Sequence, residues 1–187
     1  MADGGELARP VGYGFVTLPN VITFARLCAV PVAVWLVMQG YFFAAFWLFA
    51  GAGVSDAVDG WLARRRGTSY IGAMLDPVAD KALLMSMYVT LAAVHVLPDW
   101  LAILVVFRDA VILGGVVVIA LLGQPLVIRP LMISKVNTVL QIVLVALALL
   151  AAAADLSAPM MIWALAWAVA ASTLSSGAAY VWKVARP

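Results

Sequence analysis

Apolar residues fill this chain in six long runs, and short polar or Pro/Gly-bearing segments separate them. The runs fall near 18–38, 41–64, 74–96, 99–122, 133–153 and 158–182. Between them lie Gln39-Gly40, residues 64–72 (RRRGTSYIG), Leu97-Pro98-Asp99, residues 123–130 (GQPLVIRP), and Asp155 to Pro159. A helix needs roughly 20 apolar residues to cross the hydrocarbon core of a bilayer. The pattern therefore predicts an all-α polytopic membrane protein with six transmembrane helices. Only a tight turn separates the first two runs, which predicts an antiparallel hairpin.

Composition supports the same class. Of 187 residues 66% are hydrophobic, mean hydropathy is +1.11, and only 11% are charged, against about 25% in soluble domains. A soluble globular fold, a disordered chain and an electrostatic nucleic-acid binder are excluded, so no nucleic-acid partner is expected. The single cysteine, Cys28, excludes a disulfide scaffold and a cysteine-based metal cluster. Residues 1–17 carry no apolar stretch of the signal-peptide kind and are expected to form a cytoplasmic lead-in, with 18–187 as the six-helix membrane domain.

The placement of the few charges sets an orientation. With the N-terminus inside, the inner segments hold Arg9, Arg64, Arg65, Arg66, Arg129, Lys183 and Arg186, with Lys135 at the edge, while the outer connections contain no Lys or Arg. This positive-inside pattern puts both termini in the cytoplasm. Trp100 near an outer edge, and Trp61 and Trp182 near inner edges, suit interfacial positions.

The chemistry is concentrated in Ser55-Asp56-Ala57-Val58-Asp59-Gly60-Trp61-Leu62-Ala63-Arg64 and in Gly72 through Asp76-Pro77-Val78-Ala79-Asp80-Lys81. On a helix, positions 56, 59, 60, 63 and 64 share one face, and 72, 76 and 80 share another. Two helices joined by a short cytoplasmic connection would bring four carboxylates together near the inner membrane boundary. Four such charges in a low-dielectric site require counter-charge. Two divalent cations would provide it, and oxygen-only ligands suit Mg²⁺ or Mn²⁺. Gly60 and Ala63 leave room for a bulky ligand, and Arg64 supplies a fixed cation for phosphate. Two blander readings stand beside this one. Arg64, Arg65, Arg66 and Lys81 could simply neutralise the acids, and Asp76 could cap a helix with Pro77 in its first turn.

Asp56-x-x-Asp59-Gly60-x-x-Ala63-Arg64, followed by Gly72-x-x-x-Asp76-x-x-x-Asp80, resembles the signature of the CDP-alcohol phosphotransferases at all eight fixed positions. The resemblance implies a six-helix, usually dimeric membrane enzyme. Such an enzyme transfers a phospho-substituted group from a CDP-linked donor to an alcohol and releases CMP. It implies that Asp56, Asp59, Asp76 and Asp80 surround two metal ions, with Asp80 as general base. It further implies that Asp56, Gly60, Ala63, Arg64 and Gly72 contact the CDP moiety. A bacterial cytoplasmic (inner) membrane location, with the active site facing the cytoplasm, is the corresponding expectation.

Leu18-Pro19-Asn20-Val21-Ile22-Thr23 with Arg26 resembles the opening of the branch that makes phosphatidylglycerophosphate and cardiolipin. Arg26 is open to two readings, a snorkelling edge residue or one facing the active cavity. Arg108-Asp109 and Ile133-Ser134-Lys135-Val136-Asn137-Thr138-x-x-Gln141 resemble the CMP-forming cardiolipin synthases. That resemblance implies CDP-diacylglycerol as donor and phosphatidylglycerol as acceptor, or glycerol 3-phosphate as the alternative. Enzymes using glycerol phosphate more often carry a lysine where this chain has Asn137. A phosphomonoester bears nearly two negative charges and a phosphodiester one, so the missing cation fits phosphatidylglycerol, held by Arg108 and Lys135. Asp109 is expected to orient Arg108 or Lys135. The competing reading makes Arg108-Asp109 a self-compensating pair between helices, although adjacent helical residues point in different directions. Gly114-Gly115 is expected at a close helix contact. A cation transporter using the carboxylates, and a non-catalytic membrane partner, are the readings from other classes.

Overall fold

The computed structural model describes residues 18–66, 70–121, 132–156 and 159–185, with side chains described outside 18–23, 56–80, 113, 116–131 and 179–185. The lead-in 1–17 thus lies outside the described residues. Six helices form: α1 (Leu18–Met38), α2 (Phe42–Arg66), α3 (Tyr70–Ala93), α4 (Asp99–Leu121), α5 (Met132–Ala153) and α6 (Pro159–Ala185). No strand occurs among the described residues. The six apolar runs therefore correspond to six helices, with bounds displaced by a few residues. The largest displacement is in α3, which starts at Tyr70 and so places Pro77 inside the helix. That removes the capping role considered for Asp76, which lies beyond the first turn.

Three turns close one end of the bundle, and all three use the same backbone device. After α1, the amide of Gly40 donates to the carbonyl of Val37 at 3.0 Å, and that of Tyr41 to Leu36 at 2.9 Å. After α3, His95 donates to Ala92 at 2.8 Å and Val96 to Leu91 at 2.8 Å. After α5, Asp155 donates to Ala152 at 3.4 Å and Leu156 to Ala151 at 3.0 Å. Each is a Schellman ending, which needs a left-handed residue. Gly40, His95 and Asp155 have φ of 77°, 60° and 49°. A glycine signals such a turn in sequence and a histidine does not, which explains why α3 ends three residues before the edge of its apolar run.

The tight turns make α1 and α2, α3 and α4, and α5 and α6 antiparallel neighbours. Packing contacts close a circuit α1–α2–α5–α6–α4–α3, and α3 also touches α5 across its middle. The apolar core lies toward the end with the three turns. Phe49, Met87, Leu91, Leu101, Leu144 and Val169 are among its buried residues. The perimeter is also apolar, exposing Phe24, Trp35, Trp47, Ile103, Phe107 and Trp167. Water would penalise such a surface and lipid would not. By length and composition, Met132–Ala153 and Pro159–Ala178 are long and apolar enough to cross a membrane. Shorter apolar helical stretches occupy Phe24–Met38, Phe42–Ser55 and Lys81–Ala93. Gly114 and Gly115 depart from expectation. They are exposed, and a Cβ added at either meets nothing within 4 Å, so they make no close helix contact among the described residues.

The turns yield a paired prediction. Gly40 has open space around it, so Gly40→Ala should cost about 1 kcal/mol through backbone strain alone. His95→Gly should instead stabilise by about 0.5–1 kcal/mol. Unfolding in detergent micelles should give shifts of opposite sign for the two variants.

Candidate active site

The four signature carboxylates belong to the helices that flank the three-residue connection 67–69. Counting at 1.5 Å per residue, Asp56 sits about 15 Å from the end of α2 and Asp80 about 15 Å from the start of α3. By the same count Asp59 and Asp76 each sit about 10 Å in. The acids are thus matched in register as two pairs, Asp56 with Asp80 and Asp59 with Asp76. Both helices pack on α1 and on α5, which fixes their backbones relative to one another. The side chains of Asn20, Asp56, Asp59, Gly60, Ala63, Arg64, Gly72, Asp76 and Asp80 lie outside those described. No group of metal-ligating side chains occurs among the described residues. The donor set nonetheless fits divalent cations, since it supplies four carboxylates, two from each helix, at matched depth.

The described side chains show what lies beside that level. Along α1, α4, α5 and α6 the buried residues change from apolar to polar at about the same height. On α4, Leu101, Ala102 and Val105 give way to Arg108 and Asp109, and on α5, Asn137 and Gln141 precede Leu144 and Val145. On α6, Val169 and Ala170 lead to Thr173 and Ser176, and on α1 the buried Arg26 precedes Ala33 and Val37. Apolar packing therefore forms a floor beneath a compartment of buried polar residues on the side of the acid-bearing helix ends.

Asp109 ties this compartment together. It is 5% exposed, and its two oxygens accept separate cations. Lys81 Nζ lies 2.6 Å from Oδ2 and Arg108 Nη1 lies 2.6 Å from Oδ1. Adjacent helical residues were expected not to meet, and the arginine overturns this. Its long side chain folds back on its neighbour while its other fork reaches elsewhere. Arg108 Nη2 donates to Ser134 Oγ at 2.9 Å on α5 and also to Ser176 Oγ on α6. One ion network thus joins α3, α4, α5 and α6. Asp109 contacts Arg108, and its second partner is Lys81 rather than Lys135. Lys135 is exposed and has no ion pair among the described residues.

A second cluster lies between α5 and α6. Asn137 Oδ1 accepts from Ser172 Oγ at 2.6 Å and from Thr173 Oγ1 at 2.9 Å. Tyr88 donates its hydroxyl to the backbone carbonyl of Gln141 at 3.3 Å. Sequence reasoning assigned no role to Tyr88, Gln141, Ser172, Thr173 or Ser176. A signal was present, since Ser134, Asn137 and Gln141 recur on one face of an otherwise apolar helix, and Ser172 and Ser176 do so on another.

Residues 16–174 match the CDP-alcohol phosphatidyltransferase family. Over 95% of its length the chain is 35% identical to the chloroplastic CDP-diacylglycerol–glycerol-3-phosphate 3-phosphatidyltransferase 1 of Oryza sativa subsp. japonica, covering 61% of that protein. Over 93% of its length it is 32% identical to a cardiolipin synthase (CMP-forming)/mitochondrial hydrolase fusion protein of Schizosaccharomyces pombe, covering 32% of it. Over 72% of its length it is 32% identical to the cardiolipin synthase (CMP-forming) of Homo sapiens, covering 50% of that chain. The chain therefore spans between about a third and three fifths of the length of these relatives.

Removing the shared anion should expose its importance. Asp109→Asn leaves the Arg108 guanidinium, whose side chain is 5% exposed, without its counter-charge. Breaking a buried pair from one side costs about 3–5 kcal/mol, so thermal unfolding in micelles should show a loss of that size. A change below about 1 kcal/mol would mean that the network carries little.

Proposed function

Since the chain belongs to the CDP-alcohol phosphatidyltransferase family, we propose that it transfers the phosphatidyl group of CDP-diacylglycerol to phosphatidylglycerol, giving cardiolipin and CMP. It is a transferase of phospholipid biosynthesis, which displaces the ion-transport and non-catalytic readings of its carboxylates. On this proposal the six helices all span the membrane, with both termini and the acid-bearing end in the cytoplasm. The location is a bacterial inner membrane and the assembly a homodimer.

In the reaction, a hydroxyl oxygen of the acceptor attacks the phosphatidyl phosphorus. The phosphorus–oxygen bond to CMP breaks, and the hydroxyl proton passes to Asp80 as general base. Asp56, Asp59, Asp76 and Asp80 would hold two Mg²⁺ or Mn²⁺ ions, whose chemistry is charge neutralisation on the diphosphate and the departing CMP. Asp56, Gly60, Ala63, Arg64 and Gly72 serve the CDP moiety. The small residues let the nucleotide approach the backbone, and Arg64 offers a bidentate phosphate contact. Asn20 lies at the start of α1 on the same side of the bundle. Arg26, Arg108, Lys135 and Asn137 form the acceptor side, and Asp109 holds Arg108 in place.

The observation that carries the choice of acceptor is the neutral, already engaged Asn137 on the same helix as Ser134, which the described ion network reaches. Arg108 and Lys81 share one carboxylate, leaving a formal charge of +1. Asn137 beside them is neutral, with its oxygen already engaged by Ser172 and Thr173. A neutral residue at that position, where a lysine would add a further cation, suits a phosphodiester with one negative charge better than a phosphomonoester with nearly two. The second reading is glycerol 3-phosphate as acceptor, giving phosphatidylglycerophosphate. Similarity to the rice enzyme over 95% of the chain favours it.

Purified protein should release CMP from CDP-diacylglycerol in the presence of Mg²⁺ or Mn²⁺ and phosphatidylglycerol. Release with glycerol 3-phosphate but not with phosphatidylglycerol would overturn the first reading in favour of the second. Asp80→Asn should lower turnover by about 100-fold or more, in the range of general-base contributions, with helical content by circular dichroism unchanged.

A further inference from the structure

Asn137 and Gln141 are both fully buried, one helical turn apart on the inward face of α5. Asn137 spends its carbonyl oxygen on two hydroxyls of α6, which leaves its Nδ2 as a free donor. Gln141 Nε2 and Oε1 likewise have no hydrogen-bond partner among the described residues. Burying an unsatisfied amide costs free energy, and an apolar residue at 141 would continue the floor formed by Leu144 and Val145. Opposite Gln141, α6 has already turned apolar at Val169 and Ala170. The amide therefore does not belong to the α5–α6 zipper that accounts for Asn137 Oδ1, Ser172 and Thr173. Arg108 Nε, anchored to the same helix through Ser134, is a further unpartnered buried donor.

A free amide oxygen and free amide hydrogens on side chains at i and i+4 suit one ligand group above others. A hydroxyl both donates and accepts, so Gln141 Oε1 can accept a hydrogen bond from it while Asn137 Nδ2 or Gln141 Nε2 donates to its oxygen. Neither amide carries charge, so neither competes with Arg108 for phosphate. Both acceptors considered above carry a secondary hydroxyl between the phosphate-bearing carbon and the primary hydroxyl that reacts. We propose that Asn137 and Gln141 form a binding site for that secondary hydroxyl, making Gln141 a specificity-determining residue. The proposal rests on the acceptor being a glycerol phosphate ester, and it holds for either of the two.

The test compares each glycerol acceptor with its deoxy analogue, which keeps the reacting primary hydroxyl and lacks the secondary one. The probes are phosphatidyl-1,3-propanediol against phosphatidylglycerol, and 3-hydroxypropyl phosphate against glycerol 3-phosphate. Wild-type protein should prefer the glycerol form by about 10-fold or more in kcat/KM, as for a buried polar site that loses its partner. Gln141→Leu should reduce that preference to about twofold or less, leave KM for CDP-diacylglycerol within about twofold, and keep or raise Tm because an unsatisfied amide is removed. Gln141→Met repeats the test if the leucine variant does not fold. Equal use of glycerol and deoxy acceptors by the wild type would overturn the proposal without any variant. Undiminished preference in the Gln141 variants would also overturn it, and would assign the amide to packing or internal water. Activity with glycerol 3-phosphate alone would overturn the cardiolipin reading while leaving the hydroxyl site to be judged on that acceptor.

Discussion

Asp109 accepts Lys81 from α3 on one oxygen and Arg108 on the other, and Arg108 in turn reaches Ser134 on α5 and Ser176 on α6. Charges placed in lipid-spanning segments are costly unless they find partners within the bundle. Here Lys81, Ser134 and Ser176 reach the Arg108–Asp109 pair of α4 from three other helices, so satisfying the charges fixes how those helices pack. Hydrophobic burial alone would not do this, because an apolar helix face is nearly as comfortable against lipid as against another helix. The ion network therefore supplies the directional part of the packing, and the apolar floor below it supplies the close contact.

The consequence for chemistry runs through α3. Lys81 follows Asp80 directly, so the Lys81–Asp109 contact fixes the rotation of α3 where two of the four signature acids ride. On the other side of the connection 67–69, α2 shares α1 and α5 as neighbours with α3, which sets the second pair of acids relative to the first. Polar groups then accumulate at one level on α1, α3, α4, α5 and α6, above a floor of Leu84, Met87, Val105, Leu144 and Val169. On the proposed function, a charged headgroup enters while its acyl chains stay in lipid, and this division, polar within and apolar without, suits that task.

Much of the fold was legible in the sequence because a six-run apolar pattern leaves little freedom in element count or type. The acids of α2 and α3 were legible because ionisable residues are rare in such runs and their spacing matches helical faces. What escaped had physical reasons. His95 takes a left-handed conformation that only a glycine would have advertised, so α3 ended early. The Arg108–Asp109 contact broke a neighbour rule that holds for short side chains but fails for an arginine able to fold back. Lys81 as the partner of Asp109 depends on the rotation of α3 against α4, which no single-helix pattern encodes. Gly114 and Gly115 read as packing residues because small residues often are, and instead they face outward.

Asp109 and Arg108 act as one buried unit rather than as two polar residues that happen to be near each other. A double-mutant cycle of Arg108→Gln, Asp109→Asn and the double variant, followed by unfolding in mixed micelles, measures this directly. Residues in one ion-pair network show coupling of about 0.5–3 kcal/mol, whereas independent sites add to within about 0.5 kcal/mol. Coupling of at least about 1.5 kcal/mol is expected, with the double variant more stable than the sum of the single losses implies. Losses that simply add would show that the two residues act independently.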